Sequence, residues 1–153
     1  MKAFKNIAVF LLAGSFILPA CHKVCHDKVI TEKDIPLEGG QEVPRKISKA
    51  YGWVDVSYNK RSKVLHYKIR WFNLTGLPIG SHIHGEAPRG VNAPVKHDFT
   101  APLPKVISGE YEGSVLVDEV AIKEAGLLGG LYYFNIHTPT NPGGEIRGQI
   151  EFD

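Results

Sequence analysis

The sequence predicts an all-β domain: an antiparallel β-sandwich of immunoglobulin-like architecture with one short helix. Three observations lead there. Apolar and polar residues alternate with period two in several short stretches. Sixteen glycines and ten prolines punctuate the chain with turns, which argues against a helical bundle. Helix signals are confined to one short stretch after Asp118. A length of 153 residues, 43% of them hydrophobic and 22% charged, suits a single domain with an ordinary core.

The chain opens with an address. Lys2 and Lys5 precede an apolar stretch, Ile7 to Leu18, which falls short of the roughly 20 residues a membrane-spanning helix needs. It reads as a cleaved signal peptide. The stretch ends Leu18-Pro19-Ala20-Cys21, which resembles a bacterial lipobox with a branched residue at −3 and a small one at −1. Residues 1–20 are therefore expected to be a lipoprotein signal peptide, and Cys21 the lipidated N-terminus. Ordinary secretion is the alternative. The lipoprotein reading places the protein in a bacterial cell envelope, lipid-anchored on the periplasmic face or the cell surface. Cleavage removes two of the 18 Lys and Arg and none of the 16 Asp and Glu, leaving 16 against 16. Neither this balance nor the full-length +2 suits a nucleic-acid binder, which needs a clustered basic excess.

Residues 21–33 are polar and aperiodic and read as a tether, with the folded domain at 34–153. Cys21-His22-Lys23-Val24-Cys25-His26 resembles a haem-attachment motif with one extra residue, but its position on the lipobox makes it tether. Cys21 and Cys25 are the two cysteines of the chain, so a lipidated Cys21 leaves no disulfide.

Ala50 to Tyr58 alternates, with Trp53 opposite Val54 and Val56. In Lys63 to Phe72, Leu65, Tyr67, Ile69 and Trp71 share one face, and His66, Lys68 and Arg70 the other. Residues 59–62 suit a hairpin loop between them. Ile79 to His84 is a short strand, and Gly85 to Pro104 is a Gly- and Pro-rich loop. Tyr111 to Val117 is a strand. Asp118 is expected to cap a helix from Glu119 to Ala125, stopped by Gly126. Leu131 to Thr138 and Glu145 to Phe152 are the last strands, joined by a turn-forming stretch. The total is about seven strands and one helix.

Five histidines lie in the domain: His66, His82, His84, His97 and His137. In His82-Ile83-His84 both imidazoles project from one strand face, about 6.5–7 Å apart, while Ile83 enters the core. Such a pair is a compact chelate for copper or zinc. By the same alternation Phe134 and Ile136 face inward, and Asn135 and His137 outward. Ile146, Ile150 and Phe152 face the core, leaving Glu145, Arg147 and Gln149 opposite. Neighbouring strands would gather His82, His84, His137, Glu145 and Arg147 on one polar face, a metal or anion site. Hydrogen-bonded surface histidines are the alternative reading.

Leu37-Glu38-Gly39-Gly40-Gln41-Glu42-Val43-Pro44, Leu74-Thr75-Gly76, His82-Ile83-His84-Gly85-Glu86-Ala87 with Gly90 and Asn92-Ala93-Pro94-Val95, Tyr133-Phe134-Asn135-Ile136-His137-Thr138, and Asn141 to Gln149 together resemble the CHRD domain. The resemblance covers about Ile35 to Phe152. It implies a domain that occurs in chordin and singly in bacterial exported proteins. CHRD domains are in turn similar to Cu/Zn superoxide dismutases, and that likeness implies a dismutase-like sandwich. It implies copper on His82, His84 and His137, with zinc less favoured and His97 or His66 as an uncertain extra ligand. Arg147 takes the place of an anion-attracting arginine, with Glu145 and Asn135 beside the ligands. The zinc-binding loop and its disulfide have no counterpart here.

Glu42 and Glu145 each follow a Gly-Gly pair and read as surface or turn-bonding carboxylates. Arg147 could pair with Glu145. Trp53, Trp71, Tyr67 and Tyr133 read as packing aromatics. The expected function is metal binding by an exported lipoprotein without established catalysis. The alternative is a non-enzymatic module for a protein partner, with a dismutase-like enzyme placed third.

Overall fold

The computed structural model describes residues 29–153. The signal-peptide reading and Cys21 lie outside the described residues. Eight strands run in order: β1 (Val29–Glu38), β2 (Tyr51–Asn59), β3 (Val64–Phe72), β4 (Gly80–Gly85), β5 (Val95–Asp98), β6 (Gly109–Leu116), β7 (Tyr132–His137) and β8 (Ile146–Ile150). One helix, α1 (Glu124–Leu128), precedes β7. The strands form one antiparallel sheet in the order β5-β4-β7-β8-β1-β2-β3-β6.

That sheet folds over on itself into a flattened, nearly closed barrel. β8 meets β1 through the single rung Glu38↔Arg147, and the halves on either side face each other across the core. Tyr67 of β3 packs against Phe134 of β7 with ring centroids 5.1 Å apart. At the seam between the two edge strands, Phe99, just after β5, stacks on Tyr111 of β6 at 6.0 Å. Sandwich layering is thus present, but within one continuous sheet.

Alternation builds the layers. Leu65, Tyr67, Ile69 and Trp71 are buried at 3% exposure or less, and burying each such side chain contributes about 1.5–3 kcal/mol. The β2–β3 hairpin closes on Asn59, whose Oδ1 accepts the amides of Arg61 and Ser62. Lys63 then takes φ 58° before β3 begins.

Four elements depart from the sequence reading. β1 begins at Val29, so residues 29–33 of the expected tether are strand, paired with β2. Residues 95–98, read as loop, form the short edge strand β5 against β4. The helix is displaced from 119–125 to Glu124–Leu128 because Glu119 adopts φ 61°, which a right-handed helix excludes. Asp118 still caps, but it caps a turn, accepting the amides of Val120, Ala121 and Ile122. Finally, every residue of β8 is buried, although half were expected to face outward. Loops 39–50 and 86–94 cover the polar side. Asn92 Nδ2 joins them by donating to the Val43 carbonyl at 2.8 Å.

Candidate metal centre

Strand pairing lays the polar side chains out in rows. Directly paired residues share a face, and one row runs Asp98–His82–Asn135–Arg147–Glu38 across β5, β4, β7, β8 and β1. The next row holds His84, Tyr133 and Gln149. Ile83 between the two β4 histidines is fully buried on the opposite face, as period-two geometry requires.

His82, His84 and His137 converge. One ring nitrogen from each lies within 4.8 Å of the others. His82 Nδ1 is 3.0 Å from His137 Nε2, and Asn135 Oδ1 is 3.0 Å from both His137 Nε2 and His84 Nε2. Gly80 makes room for the rings, since a Cβ there would stand 3.0 Å from His82 Cε1 and 3.1 Å from His137 Cδ2.

The tautomers follow from the partners. His84 Nδ1 faces the Ala93 carbonyl at 2.8 Å, and His137 Nδ1 faces the Pro142 carbonyl at 3.0 Å. A carbonyl only accepts, so both Nδ1 atoms hold the ring proton and both Nε2 atoms present lone pairs. Burial holds all three imidazoles below their ordinary range, His82 to about 4 with added repulsion from His137. The cluster is neutral at physiological pH, the state in which imidazole ligates metal.

The remaining expected residues separate. His97 pairs with Ile83 and so points to the core side, where its Nε2 lies 3.2 Å from the Tyr67 hydroxyl. His66 is exposed on β3, opposite Ser57 and Ser114. Neither joins the cluster.

Glu145 and Arg147 do not pair. Glu145, fully buried, accepts Ser48 Oγ at 2.6 Å, Thr138 Oγ1 at 2.7 Å and Thr75 Oγ1 at 2.8 Å, plus the Thr75 amide. Burial raises its carboxyl, but these donors outweigh burial and hold it below the usual range. Its turn-bonding role is observed; the surface placement is corrected. Arg147, 1% exposed, stands 3.4 Å over the Tyr133 ring and donates to the Val91 carbonyl and Gln149 Oε1. Its guanidinium is thus held in place by these protein partners.

Glu42 also overturns its surface reading, being 3% exposed. Burial pushes its carboxyl up to about 7, against opposing effects from Arg147, Lys46, the Val43 amide and Asn135. Sequence offered one signal, its place in the Gly39-Gly40-Gln41-Glu42 turn; the strand it packs against is more than a hundred residues away.

Fold and site first define a class: an all-β module carrying a neutral three-histidine cluster on a covered polar face. The family follows from comparison. The family model of the CHRD domain matches residues 34–150, and the chain belongs to that family. Neither curated proteins nor solved structures gave a match. Among the described residues, no helix is long and apolar enough to cross a membrane.

Proposed function

We propose that this CHRD-domain protein is an exported module, anchored to a bacterial membrane through lipid on Cys21, that binds a metal ion through His82, His84 and His137 without turnover. The observation that carries this reading is the convergence of three neutral imidazoles within 4.8 Å. Their donor set fits copper or zinc, whose bonds to imidazole nitrogen are about 2.0–2.1 Å. Such bonds put tetrahedral ligand nitrogens about 3.4 Å apart. The 3.0 Å pair opens by about 0.4 Å to reach this spacing, and the widest pair closes by about 1.4 Å. Copper is favoured over zinc because imidazole sites bind divalent copper more tightly. The resemblance to copper-binding dismutases at the same three residues points the same way. Titration of the purified protein with cupric ion tests the reading. One equivalent is expected to bind, to be lost in His82→Ala and His137→Ala, and to be kept in His66→Ala and His97→Ala. No stoichiometric uptake, or equal uptake by all variants, overturns it.

A second reading is a non-enzymatic interaction module, as CHRD domains are extracellular-type modules. It is favoured by exposed Ile47, Leu77, Ile79 and Ile107 on the loops flanking the Glu145 hub. Partner binding that survives chelation and histidine replacement would select it. A dismutase-like reaction would require turnover by the copper-loaded protein above that of free copper.

A further inference from the structure

Asp98 ends the edge strand β5 and pairs directly with His82 of β4, so both side chains lie on the polar face. Its Oδ1 is 3.8 Å from His82 Nε2 and accepts the Thr100 amide at 2.8 Å. The turn that carries it is tied to β4 at Ser81, the residue before His82. Thr100 Oγ1 accepts the Ser81 amide at 2.8 Å, and the Phe99 amide donates to the Ser81 carbonyl at 3.0 Å. The Phe99 ring anchors the turn in the core. The carboxylate is therefore held beside the Nε2 edge of the His82 ring.

Proton counting gives the 3.8 Å distance a meaning. The single proton of neutral His137 sits on Nδ1, facing the Pro142 carbonyl, so its Nε2 offers a lone pair. His82 Nδ1, 3.0 Å from that lone pair, must supply the proton of the contact. His82 Nε2 is then a lone pair too, turned toward a carboxylate. Two acceptors with no proton between them stay beyond hydrogen-bond length. A cation held by all three rings requires the reverse. His82 Nδ1 is the atom that faces the cluster, and it ligates only after giving up its proton. The ring stays neutral by taking a proton at Nε2, which then points at Asp98.

We propose that Asp98 is a positioning residue for the histidine site: as an ion enters, the His82 proton changes from Nδ1 to Nε2, and the Asp98 carboxylate accepts it in a hydrogen bond. The proposal rests on the metal-binding reading. The N–H bond at Nδ1 breaks and one at Nε2 forms. Water takes the first proton and supplies the second, so His82 releases none overall. The contact shortens from 3.8 Å to about 2.7–2.9 Å, the length of a charge-assisted bond. Asp98 does not touch the ion; it makes the ring a stronger ligand and fixes its orientation.

The test has a metal-free arm and a copper arm. In the first, ring-nitrogen resonances locate the His82 proton in the purified protein at about pH 7, where an ordinary imidazole is mostly neutral. Nδ1–H is expected in the wild type. His137→Ala removes its acceptor, so the proton should move to Nε2 and resonate far downfield, bonded to Asp98. Adding Asp98→Asn should move that resonance upfield, because an amide oxygen accepts more weakly. Asparagine can still accept the Thr100 amide, which preserves the turn. In the second arm, cupric ion is titrated into the wild type and Asp98→Asn, and binding should weaken about tenfold to a hundredfold. Pulsed EPR should find the remote nitrogen of one ligating imidazole altered and the others unchanged. Nε2–H in the metal-free wild type, or a His137→Ala resonance indifferent to Asp98→Asn, overturns the proposal whatever the metal does. Equal copper affinity with unaltered remote nitrogens in Asp98→Asn overturns it as well. The expected metal-free results, with no copper bound by the wild type, support the His82–Asp98 pairing and overturn the metal reading alone.

Discussion

The rings of His84 and Tyr133 lie parallel, with centroids 4.9 Å apart and planes 1° from parallel. The contact is built by the β4–β7 ladder, in which the two residues are directly paired. The Tyr133 hydroxyl also accepts the Ala93 amide at 3.1 Å, and the Ala93 carbonyl fixes the His84 tautomer. Tyr133 therefore supports His84 twice, by its face and through the loop its hydroxyl holds.

Replacing Tyr133 by Leu removes both supports, whereas Tyr133→Phe removes only the hydroxyl bond. We expect Tyr133→Leu to weaken cupric ion binding about tenfold or more, the cost of losing roughly one well-placed interaction. Tyr133→Phe should fall between it and the wild type. Isothermal titration of the three proteins checks the order.

Ile83 links the core to the site. Its side chain is fully buried on the sheet face opposite the histidines that flank it in sequence. Ile83→Ala is expected to cost about 2–5 kcal/mol by leaving a cavity. The measurement is the urea unfolding midpoint at constant slope.

The buried Glu42 gives stability a pH dependence of definite sign. Its folded-state value, about 7, lies above the ordinary 4.5. Its contribution is fully present below 4.5 and is lost as pH rises through 7. The gap corresponds to about 3 kcal/mol. Glu42→Gln abolishes this dependence, so above pH 7 the variant should be the more stable protein. Unfolding of both at pH 4.5 and pH 8 would show the gap opening only at the higher value.

Glu145 behaves oppositely. Its carboxyl is held low by hydroxyl and amide donors, so its contribution is present above the ordinary carboxylate range and lost as pH falls through the depressed value. Glu145→Ala leaves the Ser48 and Thr138 hydroxyls and both Thr75 donors without their acceptor. A loss of about 3 kcal/mol or more is expected, since bonds to a charged acceptor are worth about 1.5–3 kcal/mol each. Chemical denaturation at neutral pH checks it.

On the proposed metal-binding reading, the histidine site should hold cupric ion in mild acid. Burial, with repulsion from His137, lowers His82 to about 4, and burial also lowers His84 and His137. Competition by protons is thereby deferred, so cupric ion should remain bound at about pH 5.5, where an ordinary imidazole of pKa about 6.5 is mostly charged. Release is expected as pH falls toward 4. Equilibrium dialysis across this range measures it.

The histidine cluster was legible because strand geometry is local. Period two puts His82 with His84 and Asn135 with His137, and both placements hold. What escaped is set at long range. Glu42 is polar and follows two glycines, signals for an exposed turn; it is buried because that turn closes over β8. β5 has only four residues, too few for alternation to register. The helix moved because one residue, Glu119, takes a left-handed conformation that its side chain does not announce. The continuous sheet depends on the Glu38↔Arg147 rung, a pairing of residues far apart in sequence.

The two margins of the folded-over sheet have a consequence for life at high concentration. β5 offers four residues, including Lys96, His97 and Asp98, and β6 carries Glu110 and Glu112 beside Lys68. Short or charged margins discourage a second chain from continuing the ladder. Copies crowded side by side are thus kept from zipping together edge to edge.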